Sequence, residues 1–294
     1  MKVLITGCNG LLSQNLLRTG AGRKDVEMSG MGGKPEPALP ELLSQYHAVD
    51  LENREALLEA LRKIAPDFII NTAAMTDVDG CERNPDLNNR INRDAVGWMA
   101  GTGIPLVQVS TDYVFDGVSG PYSEEDPVHP LSHYGRAKLE SETLALRGSP
   151  RSLVVRTMLL WGLGKGDKKS FTDFVRESLA AGKTIRIATD QWGNPTLAYD
   201  LALAIWALIE NKRSGIYHAA GEDWMSRFDW AVAAAVFYGL DASLIQKAVT
   251  ADLKQDAARP LKSGLRCDKL LRDTWLKLRG LQAQLEWIRD ERAR

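Results

Sequence analysis

Short apolar runs alternate with helical patterns along the first half of the chain. Five runs are rich in apolar and β-branched residues, as in strands buried on both faces: residues 3–6, 26–28, 68–70, 106–110 and 153–155. Four stretches between them carry apolar residues at helical spacing: residues 11–17, 51–64, 91–100 and 134–146. Asn53 is placed to cap the second of these helices. Strands that alternate with helices in this way predict an α/β fold with a Rossmann-like, doubly wound parallel sheet.

The second half of the chain has a weaker alternation. Helices are expected over residues 171–181, 197–210, 228–238 and 281–292, with extended pieces at 185–187 and 216–218. We therefore predict a dinucleotide-binding domain over residues 1–155. Residues 156–294 are predicted to form mostly a smaller C-terminal substrate-binding domain, with segments that return to the first domain.

Composition narrows the class of protein. The 294 residues carry a formal net charge of −1, so neither nucleic acid nor an anionic membrane is an expected partner. Three scattered cysteines and four histidines show no metal-ligand spacing, and no metal is expected. No apolar stretch approaches the length of a membrane span. These features are typical of a cytoplasmic enzyme.

A glycine loop follows the first predicted strand and precedes the first predicted helix. Gly7 permits a tight turn, and Gly10 lets the backbone approach a pyrophosphate held at the helix N-terminus. Ser13 stands where the dinucleotide fingerprint has its third glycine. A plain strand–turn–helix connection is the alternative.

The end of the second predicted strand bears on the choice of cofactor. An acid at this position binds the ribose 2′-hydroxyl of NAD. Here residues 28–30 contain no acid, Ser29 lies among them, and Arg23 and Lys34 are nearby. This pattern favours a 2′-phosphate, hence NADPH, with NADH as the alternative.

Tyr134 and Lys138 form a YxxxK pair near the start of a predicted helix. Spacing of four places both side chains on one face of the helix. A lysine ammonium there would lower the pKa of the tyrosine, which ordinarily lies near 10. Thr111, at the end of the preceding strand, is placed to orient a substrate carbonyl. A surface helix with an i,i+4 contact is the alternative for the pair alone.

The combination resembles the extended short-chain dehydrogenase/reductase superfamily, and within it the dTDP-4-dehydrorhamnose reductase family. The matching segments are residues 71–79 with Glu82, 110–117, 121–126, 130–138, 155–157, 190–196, and 259–260 with Ser263 and Leu265. The resemblance covers nearly the whole chain. It implies NAD(P)H-dependent reduction of a 4-keto nucleotide sugar in deoxysugar biosynthesis, with homodimerisation as a further expectation.

The resemblance also implies roles for individual residues. Tyr134 would be the proton donor to the C4 oxygen. The hydroxyl of Thr111 would tune and orient that tyrosine, and Lys138 would bind the ribose of the cofactor. The implied cofactor contacts are Gly7, Asn9, Gly10, Leu11, Leu12, Asp50, Leu51, Ala73, Ala74, Thr76, Tyr134 and Lys138. The implied substrate contacts are Val78, Asp112, Thr157, Met158 and Leu159. For Asp50, complementing the dipole of the following helix is an equal alternative.

One departure from the family concerns sugar binding. The family carries a tryptophan three residues after the arginine matched by Arg156, whereas this chain has Leu159 there and Trp161 two residues beyond. An aromatic platform for the sugar is therefore missing or moved. Two other functions stay open: a reductase of another carbonyl substrate, and a regulatory subunit like the β subunit of methionine adenosyltransferase.

Overall fold

The computed structural model describes residues 1–166 and 170–293. Its strands are β1 (Lys2–Thr6), β2 (Glu27–Gly32), β3 (Gln45–Ala48), β4 (Phe68–Asn71), β5 (Leu106–Thr111), β6 (Leu153–Thr157), β7 (Leu160–Trp161), β8 (Ile185–Ala188), β9 (Trp192–Gly193), β10 (Thr196–Leu197), β11 (Gly215–His218), β12 (Met225–Ser226) and β13 (Ile245–Ala248). Its helices are α1 (Leu11–Gly20), α2 (Arg54–Ile64), α3 (Val78–Arg83), α4 (Pro85–Asn89), α5 (Ala95–Ala100), α6 (His133–Gly148), α7 (Phe171–Ala180), α8 (Ala198–Glu210), α9 (Arg227–Phe237), α10 (Asp268–Thr274) and α11 (Leu281–Ala293).

Seven strands form one parallel sheet in the order β11-β6-β5-β4-β1-β2-β3. The order reverses between β1 and β4, which is the switch point where doubly wound sheets bind ligands. The predicted fold class is confirmed. Because parallel pairing aligns the strands, all seven carboxyl ends lie at one edge of the sheet.

Successive residues of each strand point to opposite faces of the sheet, and an apolar layer covers each face. On one face Ile5 packs with Leu16 of α1 and Trp206 of α8. On the other face Leu4 packs with Leu57 of α2 and with residues of α5 and α6. Burial on both faces explains why the strands are apolar at successive positions.

The second half of the chain contributes to both parts of the molecule. Strand β11 joins the large sheet beside β6, and α8 packs against α1. A separate apolar cluster joins α7 and α9 to the β8–β13 pair, with Val175, Ile185 and Ala231 at its centre. The division at residue 155 stays a prediction.

The second strand differs from its prediction. We expected it to end near Met28, but β2 continues to Gly32. Gly30 is required by packing within this strand, since a Cβ there would lie 2.7 Å from the sulfur of Cys8 and 2.8 Å from a methyl of Leu43. The Asn53 cap is confirmed, with its side chain accepting the Ala56 amide at 3.1 Å.

The described residues 1–166 and 170–293 show neither a membrane-spanning helix nor a cluster of metal ligands. None of the helices there is long and apolar enough to cross a bilayer. The same ranges hold no group of three or more His, Cys, Asp or Glu side chains suited to a metal ion.

Replacing Trp206 tests the contact between α1 and α8. The ring is fully buried, and its Nε1 donates to the carbonyl of Leu16 at 3.1 Å. Trp206→Ala should lower the free energy of unfolding by about 3–5 kcal/mol, measured by urea denaturation. Trp275→Ala is the matched control, because Trp275 is 88% exposed and its loss should change stability by less than about 0.5 kcal/mol. Equal effects of the two changes would contradict this packing.

Candidate active site

The glycine loop lies at the carboxyl end of β1 and touches the turn after β4. Gly7 has φ +64°, a conformation that favours glycine. A Cβ there would lie 2.8 Å from the backbone of Ala73, so the two segments can approach only because Gly7 has no side chain. Gly10 is the N-cap of α1 and brings no capping side chain to its first amides. Free amides at a helix N-terminus suit a phosphate group.

Ser13 replaces the third glycine without opening a gap. Its side chain is fully buried and bonds the Gly7 carbonyl at 2.8 Å and the Thr72 hydroxyl at 2.5 Å. The serine therefore ties the glycine loop to the chain that leaves β4. The missing third glycine does not disrupt the loop.

The other predicted cofactor residues lie along the same edge of the sheet. Asp50 and Leu51 follow β3, and Ala73, Ala74 and Thr76 follow β4. Asn9 joins the glycine loop to the segment after β2 by accepting the Ala38 amide at 2.6 Å and donating to the Glu36 carbonyl at 3.0 Å. Leu11 and Leu12 form the first turn of α1, where Leu12 is buried in the core. Asp50 also accepts the Glu52 amide at 3.0 Å, in the turn that precedes α2.

The residues used to choose between NADH and NADPH are placed differently from the prediction. Ser29 lies in the middle of β2, buried, and is not at its end. Arg23 precedes β2, forms an ion pair with Glu210 and lies over the ring of Trp206. The strand's carboxyl end is Gly32, followed by Gly33 and the exposed Lys34. No acid stands at this corrected end, and Lys34 is its basic neighbour.

Tyr134, Lys138 and Thr111 come together at the carboxyl end of β5. Thr111 is the last residue of that strand, and Lys138 donates to the carbonyl of Val109 in the same strand at 2.6 Å. Ser132 caps α6 by accepting the Gly135 amide at 3.2 Å. All three predicted catalytic side chains are almost entirely buried.

Burial controls the ionisation of this group. It raises the pKa of the Tyr134 phenol, while hydrogen bonding from Thr111 opposes the rise. Burial also lowers the pKa of Lys138 to about 8, opposed by the charge of Glu142. The pKa of Asp112 is raised to about 6 by burial. The expected lowering of the tyrosine pKa by Lys138 is not found in this structure, where burial raises that pKa and the ammonium bonds the strand carbonyl instead.

A cavity of about 410 Å³ lies between the large sheet and the C-terminal elements. Its lining includes the predicted residues Thr76 and Val78, together with Tyr113. The ring of Tyr113 packs edge-on against Tyr134, with 5.5 Å between ring centroids. Tyr134 itself is not part of this lining, and it contacts the cavity wall through the ring of Tyr113.

Three arginines line the C-terminal side of this cavity, a feature that the sequence analysis missed. Arg259 binds both carboxylate oxygens of Asp79, at 2.8 and 3.0 Å, and Arg186 pairs with Asp252 at 3.1 Å. Arg227 differs, because among the described residues no carboxylate lies within ion-pair distance of it. Its guanidinium lies over two rings, 5.1 Å from the centroid of Phe171.

The predicted substrate residues at the end of β6, Thr157, Met158 and Leu159, are not among the residues that line this cavity. Met158 is buried in a cluster with Phe115 and Tyr122, and Leu159 adopts φ +47°. Trp161 is 2% exposed and donates to Gln284 at 2.7 Å, so it is a core residue and not a moved sugar platform. Sugar contacts by Thr157, Met158 and Leu159 stay predictions.

A doubly wound sheet with a glycine loop at β1 and a buried Tyr–Lys–Thr group at β5 defines a short-chain dehydrogenase/reductase type of protein. The family model described as RmlD substrate binding domain matches residues 1–293. The chain belongs to this family. The resemblance inferred from the sequence is confirmed.

Individual relatives agree with the family. A probable low-salt glycan biosynthesis reductase from Haloferax volcanii is 36% identical over 273 residues, covering 90% of this chain and 89% of the relative. A dTDP-4-dehydrorhamnose reductase structure from Clostridium acetobutylicum has a TM-score of 0.87 at 30% identity over the whole of both chains. The Bacillus anthracis enzyme of the same name, in complex with NADP, has a TM-score of 0.83 at 26% identity over 99% of each chain.

A protein of the alternative class is also similar to this chain. The β subunit of methionine adenosyltransferase 2 from Danio rerio is 28% identical over 277 residues, covering 92% of this chain and 84% of that subunit. This chain is therefore similar in sequence both to reductases and to a regulatory subunit. The choice between these two functions depends on the residues at the site.

Gly135 offers a test of how closely α6 approaches the 3₁₀ turn that follows β5. A Cβ at Gly135 would collide with the carbonyl oxygen of Tyr113. Gly135→Ala should therefore lower the free energy of unfolding by about 1–3 kcal/mol, although alanine is the better helix former. Gly97→Ala in α5 is the control, because its Cβ would meet Leu144 at an ordinary 3.4 Å. Chemical denaturation of both variants measures the contrast, and a stabilised Gly135→Ala protein would contradict the close approach.

Proposed function

We propose that this protein is an NADPH-dependent reductase of a 4-keto nucleotide sugar, dTDP-4-dehydrorhamnose or a close analogue, in deoxysugar biosynthesis. The observation that carries the proposal is the buried group of Thr111, Tyr134 and Lys138, which contacts through Tyr113 a cavity lined in part by arginines. Relatives named as reductases over nearly the full chain support the same reaction class.

Each residue of the group has a role in this proposal. Tyr134 keeps its proton at neutral pH because burial raises its pKa, so the phenol is available as a general acid for the C4 oxygen. Thr111 orients the carbonyl at the strand end. Lys138 supplies a fixed positive charge and a donor for the cofactor ribose. When bound, the reduced nicotinamide supplies the hydride.

The chain's own features fit the cofactor. The close approach of Gly7 to Ala73 and the uncapped start of α1 form a cradle for a pyrophosphate. The absence of an acid at Gly32 and the presence of Lys34 suit a 2′-phosphate. NADP in the related Bacillus anthracis structure supports the same choice.

The substrate is proposed to be anionic because of Arg227. A guanidinium that is packed over aromatic rings, with no carboxylate of residues 1–166 and 170–293 within ion-pair distance, is costly until a ligand supplies a negative charge. The diphosphate of a nucleotide sugar provides that charge, and arginine binds phosphate oxygens in a bidentate manner. The cavity volume of about 410 Å³ lies within the range for small-molecule sites.

A purely regulatory role is the weaker alternative. The complete Thr111, Tyr134 and Lys138 group is what a reductase needs, and it therefore favours the enzyme. Turnover of NADPH with a dTDP-linked 4-keto sugar separates the two. Turnover of a different carbonyl compound alone would identify the other reductase class. Homodimer formation and a cytoplasmic location stay predictions.

Tyr134→Phe tests the catalytic assignment. Removing only the hydroxyl should lower kcat by about 10²–10⁴-fold, the usual contribution of a general acid, while NADPH affinity stays nearly unchanged. The rate of NADPH oxidation and a fluorescence titration of the cofactor measure the two quantities. Tyr199→Phe, in the C-terminal cluster, should leave both unchanged. A Tyr134→Phe enzyme that retains half of the wild-type kcat would remove this residue from the mechanism.

Arg227→Gln tests the anionic substrate. Loss of a charge-assisted bond worth about 1.5–3 kcal/mol should weaken dTDP binding roughly 10–150-fold, measured by calorimetry. Binding of thymidine, which lacks phosphates, should not change. Arg186→Gln is the control, since that arginine is half-exposed and already paired with Asp252. Equal losses for dTDP and thymidine would show that Arg227 does not bind the phosphates.

A further inference from the structure

A buried ion pair lies directly behind the catalytic group. Glu142 in α6 accepts two bonds from the guanidinium of Arg156 in β6, Nε at 2.9 Å and Nη2 at 2.7 Å. Both side chains are about 2% exposed. Glu142 also accepts the hydroxyl of Ser110 at 2.5 Å. The carboxylate therefore joins α6, β5 and β6 at a point one residue before Thr111.

The same carboxylate faces the catalytic lysine. Glu142 follows Lys138 by four residues on α6, so the two side chains share one face of the helix. Lys138 is 3% exposed and donates to the carbonyl of Val109, next to Ser110. A buried ammonium with a neutral carbonyl as acceptor requires a nearby negative charge to stay protonated.

We propose that Glu142, held by Arg156 and Ser110, is a positioning residue that keeps Lys138 protonated and fixes the strand end that carries Thr111. Arg156 is needed because a lone buried carboxylate would itself be unstable. Only the effect of Glu142 on catalysis depends on the proposed function. The charge state of Lys138 is a property of the protein without cofactor.

Other ionisable groups around the lysine do not titrate in the same range. They are Tyr134 on α6, Asp112 and Tyr113 after β5, Cys81 on α3 and His218 on β11. Burial sets the pKa of Asp112 near 6, of Cys81 near 11 and of Tyr113 near 12, and that of His218 falls to about 3. Burial raises the pKa of Tyr134 further above this range. Lys138, with a pKa of about 8, is therefore the group expected to titrate between pH 7 and 9.

Glu142→Gln is the decisive variant because it removes the charge and keeps the shape. Burial lowers the pKa of Lys138 to about 8 and the charge of Glu142 opposes that fall, so Lys138 loses its proton as pH rises through about 8. Loss of the carboxylate moves this transition to lower pH. We expect a downward shift of at least about one pH unit. Nitrogen-15 NMR of the lysine ammonium groups in the cofactor-free protein measures it, with Lys138→Met used to assign the signal.

Ser110→Ala is the matched control, since it removes one hydrogen bond from Glu142 and leaves the charge. Its lysine transition should stay at the wild-type pH. If Glu142→Gln does not fold, Glu142→Asp, which withdraws the carboxylate by one methylene, should give a smaller shift in the same direction. An unchanged transition in a folded Glu142 variant, with lowered thermal stability alone, would reduce the residue to a structural role and overturn the proposal.

Activity supplies a second, separable readout. The alkaline limb of the kcat/KM profile for NADPH oxidation should move with the lysine transition in Glu142→Gln. If wild-type protein binds no NADPH while the NMR shift is observed, the proposed function fails and the role of Glu142 in setting the charge of Lys138 stands. If wild-type protein turns over and neither readout moves, only the present inference fails.

Discussion

A chain of buried hydrogen bonds crosses the sheet just below the edge where the site lies. Thr6 in β1 donates to Asn71 in β4 at 2.5 Å, and Asn71 donates to Gln108 in β5 at 2.7 Å. Gln108 reaches Ser141 in α6 at 3.4 Å. All four side chains are at most 1% exposed. Because buried polar groups are costly unless paired, this chain fixes the strand carrying the glycine loop relative to the catalytic helix.

That constraint explains why the site tolerates the chain's departures from the fingerprint. The third glycine normally allows close packing of helix and strand. Ser13 achieves the same closeness with bonds to Gly7 and Thr72, so it adds another polar link between β1 and the chain after β4. Further along the edge, Ser110 and Glu142 extend the polar contacts to β6. The glycine loop and the helix that carries Tyr134 and Lys138 are thus fixed by buried polar side chains.

Sequence patterns predicted the features that depend on local order. The alternation of strands and helices, the Asn53 cap and the placement of Tyr134 and Lys138 on one helix face follow from spacing of a few residues. The predicted end of β2 was wrong because glycines in a sequence usually mark turns. Here Gly30 lies inside the strand, where the side chains of Cys8 and Leu43 pack against it and leave no room for a Cβ. Arg227 and the Asp79–Arg259 pair carried no local signal, since the two members of that pair are 180 residues apart. Only the folded chain brings them to one cavity.

The charges of the cavity wall point to what a ligand must provide. Arg186 and Arg259 are each neutralised by a carboxylate, whereas Arg227 is packed over Phe171 and Trp230 with no carboxylate in ion-pair distance in the described part of the chain. Leu159 and the buried Trp161 leave the sugar without the aromatic platform that the family resemblance implies. In the proposed reaction, recognition would rely on phosphate oxygens, which form bidentate bonds to a guanidinium, more than on an aromatic contact worth roughly 0.5–1.5 kcal/mol. An enzyme built this way should discriminate strongly for the diphosphate and weakly among sugars that share a 4-keto group.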